Sequence, residues 1–172
     1  MTAEIYWIRG TTAGRLGIMA RPRAGDWLAD EIQGWKEAGV TDVVSLLEMS
    51  EIRELGLEQE AALVQQVGIR FEQFPIPDRG VPPSVQNAQS LWVDLADRLR
   101  TGRFVAIHCR AGIGRSSLMA AGVLRTMGVA EEQAWALIAQ ARQLPVPDTE
   151  AQRVWVQRYA GTVSAGETSG SK

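Results

Sequence analysis

One segment constrains this chain more than any other: Val105-Ala106-Ile107-His108-Cys109-Arg110-Ala111-Gly112-Ile113-Gly114-Arg115-Ser116-Ser117. It opens within a compact apolar run, Phe104 to His108, of the kind that forms a buried strand. It crosses a loop holding Gly112 and Gly114, then enters a run from Ser116 to Met127 that is apolar nearly all round and stops before Gly128. A helix without a polar face belongs at the centre of a core. A buried strand feeding a buried helix through a short loop is the building unit of an α/β domain.

The rest of the chain repeats that alternation. Strand character recurs at Glu4 to Ile8, Arg15 to Ala20, Asp42 to Leu47 and Ile69 to Phe74. A helix is predicted from Trp27 to Ala38, capped by Asp26, with Leu28, Ile32 and Trp35 as its apolar stripe and Gly39 as its stop. Two short helices follow, one capped by Ser50 and one from Glu58 to Val67. From Ser84 to Arg100, the residues Val85, Ala88, Trp92, Leu95 and Leu99 recur at spacings of three and four, which makes an amphipathic helix centred on Trp92. Helices from Glu131 to Arg142 and from Thr149 to Ala160 complete the pattern, the last capped by Asp148 or Thr149. The reading is a single α/β catalytic domain over 1–160, with a mainly parallel central sheet and helices on both faces. The small, polar stretch 161–172 reads as a disordered tail. The tryptophans read as core packing.

Cys109 is the only cysteine, which excludes an internal disulfide and a Cys-rich zinc site. No cluster of metal ligands stands out, and no cofactor is expected. With 18 Lys and Arg against 20 Asp and Glu, nothing draws the chain as a whole to nucleic acid or an anionic membrane. An anion must therefore be met by local charge and backbone dipoles. No apolar stretch approaches the ~18–20 residues that cross a bilayer, and Met1 to Arg9 lacks the order of a secretion signal. The expectation is a cytoplasmic monomer whose lone thiol stays reduced.

In open α/β sheets, ligands bind at the carboxyl ends of strands, where the loop after His108 lies. Its N–H groups and the following helix N-terminus make a positive concavity of phosphate size. Gly112 and Gly114 let several amides converge on one point. A thiol at the mouth of that cradle has its anion stabilised, so Cys109 is the candidate nucleophile. Arg115 returns to the site after five intervening residues, and its planar fork suits two phosphate oxygens. Arg110, Ala111, Gly112, Ile113 and Gly114 are then the residues that line the anion.

The pattern His108-Cys109, five residues, Arg115-Ser116 resembles the signature of the protein-tyrosine-phosphatase superfamily, and the chain is similar over about Arg15 to Tyr159. The short length and the place of the candidate acid resemble the small dual-specificity and kinase-associated branch. The resemblance implies that His108 orients the loop, and that the Ser116 hydroxyl assists the departing sulfur, although Ser116 also suits the N-cap of its helix. It implies a general acid on a loop, and Asp78, in Phe74-Pro75-Ile76-Pro77-Asp78-Arg79-Gly80, lies 31 residues before Cys109. Asp26, Asp42, Asp94 and Asp97 read instead as caps, turns or polar helix face. In related enzymes a Gln-Thr-x-x-Gln segment positions water. Here Asp148-Thr149-Glu150-Ala151-Gln152 keeps the threonine and second glutamine but begins with aspartate.

The implied substrates are phosphorylated proteins or small phosphomonoesters, with phosphotyrosine accepted alongside phosphoserine and phosphothreonine. The loop has no lysine of the kind that phosphoinositide phosphatases carry. A phosphoprotein-binding pseudophosphatase, or a thiol enzyme of sulfur transfer or arsenate reduction, would share the cradle.

Overall fold

The computed structural model describes residues 4–10 and 12–161. Five strands, β1 (Tyr6–Ile8), β2 (Arg15–Met19), β3 (Asp42–Ser45), β4 (Arg70–Gln73) and β5 (Phe104–His108), form one sheet in the order β1-β2-β5-β3-β4. Only β1 runs antiparallel to its neighbour; the other pairs are parallel. β5 is therefore central, flanked by β2 and β3, and Cys109 emerges at its carboxyl end.

The strand period of two divides the core. Val105 and Ile107 of β5 face a cluster built with α4 (Val85–Arg100), α5 (Arg115–Thr126), α6 (Glu131–Arg142) and α7 (Glu150–Tyr159). Ala106 faces the opposite cluster, with α1 (Leu28–Glu37), α2 (Met49–Glu54) and α3 (Glu60–Gln66). This is the expected single α/β domain with helices on both faces. The tail expected from Gly161 lies, apart from Gly161 itself, outside the described residues.

α5, apolar all round in sequence, is buried from Arg115 to Leu124 and packs against α4, α6 and α7. Trp92 is the centre of the α4 face, and its indole lies directly on the α5 backbone at Gly122, so close that a Cβ there would collide with it. The glycine is what lets a large ring meet a helix without a gap.

Several ends differ from the sequence reading. Asp26 does not cap α1; it sits inside a 3-10 turn, Gly25–Trp27, that leads into the helix. Ser50 lies within α2, whose cap is Glu48 in a reciprocal box with Glu51. Thr149, not Asp148, caps α7, while Ser84 caps α4 by accepting from Asn87 N–H at 3.1 Å. Asp42 has no turn role: it is buried on β3, ion-paired to Arg98 and Arg103 at 3.3 and 2.6 Å. Trp35, Trp92 and Trp135 are core residues, but Trp27 is 57% exposed beneath the Arg23 guanidinium.

Replacing Gly122 with Ala forces the Trp92 ring or the helix to move. The expected cost is about 1–3 kcal/mol, read from urea unfolding. Gly10→Ala, where nothing lies near the added methyl, serves as the neutral control.

Candidate active site

The loop after β5 folds against the end of β2. Gly112 has φ +71°, and a Cβ there would lie 2.6 Å from the Met19 carbonyl carbon, so both backbone and space require glycine. Gly114 precedes α5 as its N-cap and lies against the Asp148 side chain, which occupies the space a Cβ would need. Among the described residues, no protein acceptor takes the N–H groups of Ala111, Gly112, Ile113 or Gly114. Cys109, 2% exposed, sits at the edge of this row of donors.

Arg115 is the first residue of α5 and is 2% exposed. A buried guanidinium must be matched by acceptors. Glu51 supplies two, taking Nη1 at 2.7 Å and Nη2 at 2.9 Å in a bidentate pair. The Ile76 carbonyl accepts from Nη1 at 2.9 Å, and Asp78 Oδ1 accepts from Nη2 at 3.1 Å. The structure thus brings Asp78 into contact with Arg115, with Cys109 near enough for its charge to act on the same guanidinium.

Burial pushes the Glu51 carboxyl up, but the bonds from Arg115 and the Glu48 N–H, with the charges of Arg115 and Arg110, outweigh it and hold its pKa below the ordinary 4.5. For Arg115, burial acts downward. The Glu51 bond and the negative charges of Cys109, Glu51 and Asp78 prevail, so its pKa is raised.

Asp78 stands on a loop fixed at both ends. Phe74 and Ile76 N–H donate to the Ser45 and Leu46 carbonyls. Gly80 N–H closes a turn onto the Pro77 carbonyl at 2.8 Å, with Arg79 in the left-handed region at φ 59°. The Asp78 side chain itself is 52% exposed.

His108 is buried, with Nε2 2.6 Å from Glu60 Oε2 and Nδ1 3.4 Å from the Cys109 carbonyl. Ser116 lies inside α5 and caps nothing; its buried hydroxyl has no partner among the described residues. Arg110 turns its side chain to Glu54 and Glu51 on α2, at 3.3 and 3.8 Å. Ala111 is exposed and Ile113 half-buried. Gln152 is fully buried: its Oε1 accepts from Asp148 and Thr149 N–H, and its Nε2 donates to the Gly80 carbonyl at 3.0 Å. It ties the Asp78 loop to α7.

Residues 17–129 match the family model described as polymorphic toxin system, DSP-PTPase phosphatase. The chain belongs to this DSP-PTPase phosphatase family. Rat cyclin-dependent kinase inhibitor 3 is 35% identical over 89 residues, covering 52% of this chain and 42% of that protein. The match thus spans about two fifths of the curated relative's length. In fold, the chain resembles kinase associated phosphatase carrying serine at its catalytic cysteine, with TM-score 0.83, 22% identity, and 96% and 98% of the two chains covered. It also resembles PTPMT1 in complex with PI(5)P, with TM-score 0.73, 19% identity, and 94% and 99% covered. The small dual-specificity kind of phosphatase, expected from the signature, is the kind found.

Sequence reasoning missed Glu51 and Glu60 as partners of residues in and beside the loop after β5. In the sequence Glu51 reads only as part of a short helix capped by Ser50, a local role that hides its distant partner. Because the folded pKa of Glu51 lies below its unfolded value, the pair stabilises fully above pH 4.5 and less as pH falls through the depressed value. Glu51→Gln is expected to cost about 3 kcal/mol at neutral pH in urea unfolding. The gap from the unmodified protein should narrow below pH 4.5; a constant gap would contradict the ion pair.

Proposed function

We propose that the protein hydrolyses phosphomonoesters of proteins, phosphotyrosine foremost and phosphoserine and phosphothreonine with it, through a phosphocysteine on Cys109. One observation carries the reading. A buried arginine, returned beside a half-exposed carboxyl, stands at the end of a loop whose amides have no acceptor among the described residues.

In the first step the Cys109 thiolate attacks phosphorus in line. The S–P bond forms, the ester P–O bond breaks, and Asp78 gives its proton to the departing oxygen. In the second step water attacks the phosphocysteine while Asp78 takes its proton. The S–P bond breaks, the thiolate returns and inorganic phosphate leaves. Arg115 and the N–H groups of Arg110, Ala111, Gly112, Ile113 and Gly114 hold the equatorial oxygens in both steps. Ser116, whose hydroxyl has no partner among the described residues, is placed by this reading at the departing sulfur. His108 orients the nucleophile's backbone from its seat against Glu60. No metal or cofactor takes part.

The side chains of Ala111 and Ile113 offer nothing to meet the further phosphates of an inositol lipid, and this favours protein substrates. A reducing compartment such as the cytoplasm suits a lone thiol nucleophile, and the reading needs one copy of the chain.

Hydrolysis of p-nitrophenyl phosphate should proceed in excess EDTA and vanish in Cys109→Ser. Asp78→Asn should lower kcat roughly a hundredfold to ten-thousandfold on phenyl phosphate. The loss should be smaller on p-nitrophenyl phosphate, whose leaving group needs a proton less. Activity that survives Cys109→Ser overturns the phosphocysteine.

A further inference from the structure

An amide cradle binds an anion only when its peptides are turned with N–H inward. In a planar trans peptide the C=O and N–H point in opposite directions. Holding one carbonyl outward therefore holds the next residue's N–H inward. One side chain outside the site does this for two consecutive peptides. Arg142 Nε donates to the Gly112 carbonyl at 3.1 Å, and its Nη2 donates to the Ala111 carbonyl at 3.3 Å.

Arg142 is itself held in place. It is the last residue of α6, which ends as Gln143 takes a left-handed φ of 60°. Its guanidinium lies 4.1 Å from the centre of the Tyr6 ring on β1, a cation–π contact that leaves the planar fork aimed along its edge at the loop. The antiparallel edge strand, the α6 terminus and the phosphate loop thus meet at this one side chain.

We propose that Arg142 is a positioning residue for the anion site, fixing the peptides before Gly112 and Ile113 so that both N–H groups face the phosphate. This rests on the reading of that loop as the phosphate cradle. Without Arg142, the Ala111 and Gly112 carbonyls lose their donors, the peptides are free to turn, and a carbonyl dipole facing the anion repels it. A lysine keeps the charge but not the fork, so it cannot hold two carbonyls in one geometry.

The test is calorimetric titration of the full chain with inorganic phosphate and with tungstate, alongside kcat and KM on p-nitrophenyl phosphate and the melting temperature. Arg142→Met, which keeps the stem, should weaken both anions about tenfold with little change in melting temperature. Arg142→Lys should recover only part of that loss. Full recovery in Arg142→Lys would mean that charge alone matters and would overturn the proposal, as would unchanged anion affinity in Arg142→Met. Should the methionine variant not fold, the lysine variant decides: weakened phosphate binding supports the role and unweakened binding refutes it. An unmodified protein that binds phosphate but hydrolyses nothing would sink the hydrolytic reading and leave the Arg142 proposal to stand or fall on affinity. Binding of neither anion would sink both.

Discussion

The buried guanidinium of Arg115 is the charge around which the site is assembled. A cation removed from water is tolerable only where acceptors surround it, and removing one partner of such a pair costs far more than an exposed pair is worth. Glu51 is brought in from α2 on the far side of the sheet's carboxyl edge, and the Ile76 carbonyl and Asp78 from the loop after β4. Satisfying this one side chain therefore fixes the positions of α2, the acid-bearing loop and the start of α5 relative to one another. The same demand explains why a glutamate can be buried here, since each charge is the other's compensation.

The sheet makes that convergence possible. Because β5 lies between β2 and β3, its carboxyl end opens where loops from both neighbours and from β4 also emerge. Each loop contributes one constraint. The end of β2 presses on Gly112, the segment after β3 delivers Glu51, and the segment after β4 delivers Asp78. Behind the loop, α5 is buried from Arg115 to Leu124 and packs against α4, α6 and α7, which fixes where its N-terminus lies. On the opposite face, α3 presents Glu60 to His108, directly beneath the nucleophile's peptide.

What was legible in the sequence is what depends on near neighbours. The Phe104–His108 strand announces itself by composition, and the five-residue gap from Cys109 to Arg115 is a local geometric fact. Asp78, which meets Arg115, could be singled out because a proline-rich turn after a strand is itself a local signal. Glu51, Glu60 and Arg142 were not readable, because each matters only through a contact 64, 48 or 30 residues away. Nothing in a helical period marks a carboxylate that will be buried by a distant arginine. Ser50 was read as the cap of α2 by residue preference, whereas the observed cap is Glu48 in a reciprocal box with Glu51, the residue that also pairs with Arg115. Gln152 shows the same limit. The resemblance suggested a water-positioning group, and its buried side chain accepts from two N–H groups at the start of α7 and donates across to the Gly80 carbonyl of the Asp78 loop.

A count of donors sharpens the chemistry. Arginine offers five N–H groups, and four of those of Arg115 have acceptors within the protein: two on Glu51, one at Ile76 and one on Asp78. A phosphate dianion that is to be gripped by two donors must therefore displace one of them. Glu51 and the Ile76 carbonyl are buried and have nowhere else to turn, whereas the Asp78 side chain is half in water and loses little by letting go. The bond exchanged is thus Arg115 to Asp78. Under the proposed mechanism, the entry of the phosphate that Arg115 recognises is the event that frees the Asp78 carboxyl, at the moment and place where the leaving oxygen needs its proton.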